Sequence, residues 1–231
     1  MNEFNLVVIG AIAGAISGLS GLLVGSFTMF FATKNGHTQS PNKATVSSLI
    51  SLGYLALYIV SISLVIALFF DTISLDNLQA VSVAMPLLAI LLGLLLVRRY
   101  FWHTPLVHMT HHKKYFTRHL KQQHSLAQPM LIAAALLYAS APIVMANIVL
   151  LALLGVISGG SALYWSIAYT IGFIAPLYII VALLNNKTNA AQLLKWHDST
   201  QGTSFLYVGL WCIFLAWLVL YYVIVSGAYL R

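Results

Sequence analysis

Thiol and acid–base chemistry have little to work with in this chain. Its 231 residues hold one cysteine, Cys212, and four acidic side chains. A single thiol cannot cycle as an intramolecular dithiol, because exchange needs a second sulfur to attack. With so few carboxylates, no Gly-rich phosphate loop and no nucleophile–base set, an enzyme is not expected. Charge as a whole is scarce, at 6% of residues, where a soluble domain carries about 25%. No soluble surface can be built from that, and a nucleic-acid role would need a basic soluble face.

What fills the chain instead is apolar: 61% of residues are hydrophobic and the mean hydropathy is +0.92. A hydrocarbon core about 30 Å thick takes roughly 20 apolar residues per helical crossing. Six segments of that kind can be read, at 5–32, 46–70, 77–97, 130–157, 161–185 and 204–226. The chain thus reads as one polytopic all-α membrane domain over 1–231. Its first half runs to about 100, a basic loop covers about 98–128, and the second half covers about 129–231. The first segment does not read as a cleaved signal peptide, since it lacks a basic start and its apolar run is too long.

Lys and Arg are retained on the cytoplasmic side. Lys34, Lys43, Arg98, Arg99, Lys113, Lys114, Arg118, Lys121, Lys187 and Lys195 all fall in the first, third and fifth loops. Glu3, Asp71, Asp76 and Arg231 fall on the other side. The expected orientation is N-terminus out and C-terminus out. Two halves of three crossings each are then inverted relative to one another, which predicts an inverted 3+3 repeat. Tyr100, Phe101, Trp102, Trp165, Trp196 and Tyr222 near segment ends fit interfacial anchoring.

Within the first segment, GAIAGAISGLSGLLVG carries Gly10, Gly14, Gly18, Gly21 and Gly25. At 100° per residue they share about an 80° arc, with Ser17 and Ser20 beside them. Each glycine costs a helix roughly 1 kcal/mol relative to alanine. A stripe without side chains lets a second backbone approach closely, which drives helix association in lipid. It reads either as a tight packing seam or as a flexible segment lining a central site. The fourth segment offers a counterpart in LLYASAPIVMANIVLL, where Ser140 and Pro142 lie mid-membrane. Proline removes a backbone hydrogen bond there and favours a kink.

The stretch from YASAPIV through LLGVISGGSALYWSIAYTIGFIAPLYIIVALL resembles the six-helix thiol–disulfide conduits of bacterial inner membranes. These are CcdA of cytochrome c biogenesis and the membrane domain of DsbD, within a LysE-like superfamily of exporters. The family's fifth-helix pattern Tyr-x-x-Gly-x-x-x-Pro is met by Tyr169, Gly172 and Pro176. The resemblance implies a bacterial inner-membrane protein tied to respiratory or cytochrome maturation. It does not carry over the redox chemistry, because Leu22 and Ile143 stand where the family has its two cysteines.

All eight histidines fall in the expected cytoplasmic loops, six of them in HTPLVHMTHHKKYFTRHLKQQH. Read as a helix, His108, His111, His112 and His119 share about a 100° arc. His108 and His112, at i and i+4, suit two ligands on one metal. The same stretch also reads as a basic amphipathic helix on anionic lipid.

Two functions follow as expectations. One is a redox-inactive CcdA/DsbD-like accessory or assembly subunit, with the bilayer and other membrane proteins as partners. The other is a transporter or exporter of a small solute or metal ion. Its site would lie between the first and fourth helices, among Ser17, Ser20, the glycines, Ser140 and Pro142.

Overall fold

The computed structural model describes residues 2–20, 41–73, 75–102, 128–184 and 187–225. Among them lie six helices and no strand: α1 (Glu3–Gly18), α2 (Pro41–Thr72), α3 (Leu75–Trp102), α4 (Gln128–Ser158), α5 (Ala162–Leu184) and α6 (Lys187–Val225). Five are long and apolar enough to cross a membrane, through Val46–Thr72, Ala80–Trp102, Ser140–Ser158, Ala162–Leu183 and Thr203–Val225. This is a multi-pass membrane protein. Leu57, Val65, Leu68, Phe69, Ile171 and Ile224 point outward and exposed, which is tolerable where the surroundings are lipid.

Two elements differ from the sequence expectation. The first segment is not one helix over 5–32: α1 ends at Gly18, with Leu19 in a turn. Residues 21–40, with Gly21 and Gly25, lie outside the described residues. The sixth helix starts at Lys187 instead of near 204. At 1.5 Å per residue its 39 residues span about 58 Å, far more than a bilayer requires. Lys187, Lys195 and Asp198 therefore sit on a helix and not in a loop. Nothing limits a helix to the hydrocarbon thickness when a polar helix-forming sequence precedes the apolar run.

Packing pairs each helix with one from the other half: α1 lies chiefly on α5, α2 on α4, and α3 on α6. α2 also touches α5, and α1 meets α4 over a smaller area. The main neighbour of the first helix is thus the fifth, where the sequence pointed to the fourth. Periodicity reports which face of a helix is buried, not which helix covers it. A fully buried layer of Leu55, Ile59, Ile148, Leu151, Trp165, Tyr169 and Phe173 fills the centre. Trp165 is part of this layer, at 1% exposure, and is not an interfacial anchor.

α4 and α5 are joined by a tight turn. Gly159 takes a positive φ of 68°, a conformation that costs glycine little. The Gly160 N–H donates to the Gly155 carbonyl and the Gly159 N–H to the Val156 carbonyl. This closes the α4 end as a Schellman motif. At the same end, the Ser161 N–H donates to Glu3 Oε1 at 3.3 Å, which ties the start of α1 to the start of α5.

Candidate functional site

The α1–α5 seam is made by missing side chains. A Cβ on Gly10 would lie 3.1 Å from the Trp165 carbonyl oxygen. One on Gly14 would collide with the Tyr169 carbonyl oxygen, and one on Gly18 with that of Phe173. From the other side, a Cβ on Gly172 would collide with the Ala11 carbonyl oxygen. Pro176 contributes its ring, whose Cγ would lie 2.9 Å from a Cβ on Gly18. Gly14, Gly18 and Gly172 thus let the α1 and α5 backbones approach closely.

This register also fixes a depth. Gly18 is level with Phe173 and Pro176 of α5, and α5 continues from there to Leu184. α1 stops beside the middle of a membrane-crossing helix. The Leu19 N–H still donates to the Ala15 carbonyl, and the Ser20 N–H to that of Ser17. A helix end leaves its last carbonyls without intrahelical partners. At membrane depth such backbone is tolerated only inside protein or along a hydrated cavity.

A polar cluster sits on this last turn. Asn147 Nδ2 of α4 donates to Ser17 Oγ at 2.8 Å. Tyr169 Oη of α5 donates to the same oxygen at 3.3 Å. Ser17 Oγ donates its own proton to the Ala13 carbonyl at 2.8 Å. The hydroxyl accepts twice and donates once, which is its full capacity. Ser17, Asn147 and Tyr169 are all 0% exposed, so three helices meet at one saturated oxygen. Asn147 Oδ1 has no partner, and neither does Ser20 Oγ, itself 2% exposed. Turning the amide over would place Oδ1 on Ser17 and strand Nδ2 instead.

Removing the shared acceptor should therefore cost more than removing one donor. Ser17→Ala is expected to destabilise by about 1–3 kcal/mol, because the Asn147 amide and the Tyr169 hydroxyl both lose their acceptor in a buried site. Tyr169→Phe should cost less, since Ser17 keeps its other bonds. Thermal unfolding in mild detergent checks the order, and Tyr169→Phe proving the more damaging would contradict it.

The other expected site residues distribute unevenly. Ser140 is buried, but its hydroxyl donates to the Leu136 carbonyl at 2.9 Å within its own helix. It lies two turns from Asn147 and does not join the cluster. Pro142 is exposed on the outer side of α4, and α4 stays helical through it. The missing N–H is easiest to accommodate on a face where nothing packs closely, so Pro142 is not part of a central pathway. Ile143 packs with Val208 and Cys212 in a small buried cluster. His108, His111, His112 and His119 lie outside the described residues, as does the loop that carries them. Among the described residues no group of three His, Cys, Asp or Glu could hold a metal.

Asn147 is the site residue that sequence reading missed. A search for ionisable groups passes over a neutral amide, yet an asparagine inside the apolar run VMANIVLL was its visible signal. Beside the α1 end lies an apolar groove of about 600 Å³, lined by Ile16, Leu19, Tyr207, Val208, Trp211 and Phe214 among others. Its walls offer little for a polar ligand. No family model matches the chain, and neither a curated protein nor a solved structure matches it.

Proposed function

We propose that this chain is a membrane transport protein that passes a small solute, with its site where α1 stops inside the bundle. One observation carries this reading: a helix end at mid-depth, next to buried Asn147 and Ser20 whose oxygens lack partners. Interrupted helices of this kind mark substrate and ion sites in transporters built from inverted repeats. An inverted 3+3 repeat, with both termini outside in a bacterial inner membrane, belongs to the same proposal. The pairing of helices supports it. Exchanging the halves turns the α1–α5 contact into the α4–α2 contact, while the α3–α6 and α2–α5 contacts map onto themselves.

The subunit role implied by the CcdA/DsbD resemblance is the competing outcome. Reconstitution of the full chain into liposomes separates the two. The measurement is efflux of a panel of amino acids, alkali cations and divalent metals. Flux of one class above empty liposomes, reduced about tenfold or more in Asn147→Leu, is expected, since a tenfold change needs only about 1.4 kcal/mol. A monodisperse protein that moves none of them, yet leaves native membranes with stoichiometric partner proteins, would overturn transport in favour of the subunit role.

A further inference from the structure

We infer that the site at the α1 end takes a monovalent cation, either an alkali-metal ion or a protonated small amine. This rests on the transport reading and names its ligand class. The Ser17 hydroxyl donates to the Ala13 carbonyl within its own helix. Its proton is committed, and its lone pairs are taken by Asn147 and Tyr169. Asn147 Oδ1 is a buried acceptor without a donor. Ser20 Oγ is a second buried oxygen without a partner, one residue beyond the α1 cap. Two buried oxygens are thus left unpaired at this end, and the amide oxygen among them can only accept.

Sign and valence follow from the surroundings. A helix C-terminus carries about half a negative charge, which disfavours an anion and favours a cation. α4 and α5 contain no Asp, Glu, Lys or Arg, and Glu3 of α1 lies at the opposite end of that helix. Divalent ions hold their water tightly and are bound through carboxylates. Neutral oxygens suffice for a monovalent ion, as carbonyl rings and unwound helix ends do in membrane channels and transporters. Asn147 is positioned for this by Ser17, whose saturated hydroxyl holds the amide nitrogen and leaves the amide oxygen available.

The test uses the purified full chain in mild detergent. Its thermal midpoint is measured in NaCl, KCl, methylammonium chloride and choline chloride at equal ionic strength. A ligand that binds only the folded state raises the midpoint with concentration. A rise with Na⁺ or K⁺ assigns an alkali ion, and a rise with methylammonium alone assigns an amine. Asn147→Leu and Ser20→Ala should each weaken the apparent affinity about tenfold, the scale of one charge-assisted bond. Ser140→Ala should leave it unchanged. Asn147→Asp should tighten it, since a carboxylate replaces a neutral oxygen. Should Asn147→Leu fail to fold, Ser20→Ala and Asn147→Asp still decide. Equal midpoints in all four salts would overturn the inference, as would a larger rise with Ca²⁺ than with any monovalent ion. Flux with a salt-indifferent midpoint removes the cation and keeps transport. A cation-dependent midpoint with no flux removes transport and keeps the cation.

Discussion

Gly14→Ala should destabilise the bundle by about 3 kcal/mol or more, the upper range for forcing extra carbon into a packed interior. The new methyl would collide with the Tyr169 carbonyl oxygen and lie 2.8 Å from the Phe173 nitrogen and 2.9 Å from the Tyr169 carbonyl carbon. All three are backbone atoms of α5, so no rotamer change can relieve the clash. α1 would have to lift away along its length, because Gly18 and Gly172 clamp the same seam from both sides. The gain in helix propensity, about 1 kcal/mol for Gly to Ala, is too small to compensate. Gly53→Ala is the matched control: nothing lies within 4 Å of its Cβ, and it should be neutral or slightly stabilising. Unfolding in detergent reports both, and a Gly14→Ala protein as stable as wild type would refute the seam.

Gly93→Ala and Gly209→Ala are expected to cost about 2 kcal/mol each and to be less than additive when combined. Each Cβ would sit 2.7 Å from the carbonyl oxygen of the other residue. The contact is reciprocal, so α3 and α6 share one spacing at this point. The first methyl pushes α3 and α6 apart, and the second finds part of the gap already open. Residues in direct contact show coupling of 0.5–3 kcal/mol, and about 1 kcal/mol is expected here. A double-mutant cycle that is additive within error would mean the two helices do not share this spacing.

Much of the architecture was legible because lipid imposes a simple grammar. Apolar runs of crossing length gave the helices, and the i, i+4, i+8 spacing of Gly10, Gly14 and Gly18 gave a buried face. Tyr169 and Gly172, singled out through the resemblance, do lie against α1. Three things could not be read. The partner of α1 was hidden, because spacing says nothing about which helix approaches. Asn147 was hidden because its importance comes from Ser17, which lies 130 residues away. The end of α1 at Gly18 was hidden because an apolar sequence continues past it. Pro142 misled for a related reason: a helix breaker draws the eye, yet its place on the outer side makes it inconspicuous in the fold.

The arrangement at the Gly159 turn constrains how the protein can move. α4 and α5 are linked there through Gly159–Ser161, and the Glu3–Ser161 bond adds the start of α1 to the same corner. Beyond the turn, α4 and α5 touch each other only slightly. That corner is a fulcrum. A separation of α4 and α5 would be smallest at this corner and largest at their opposite ends. A crosslink at the opposite ends of α4 and α5 would therefore restrain their separation more than stiffening the corner.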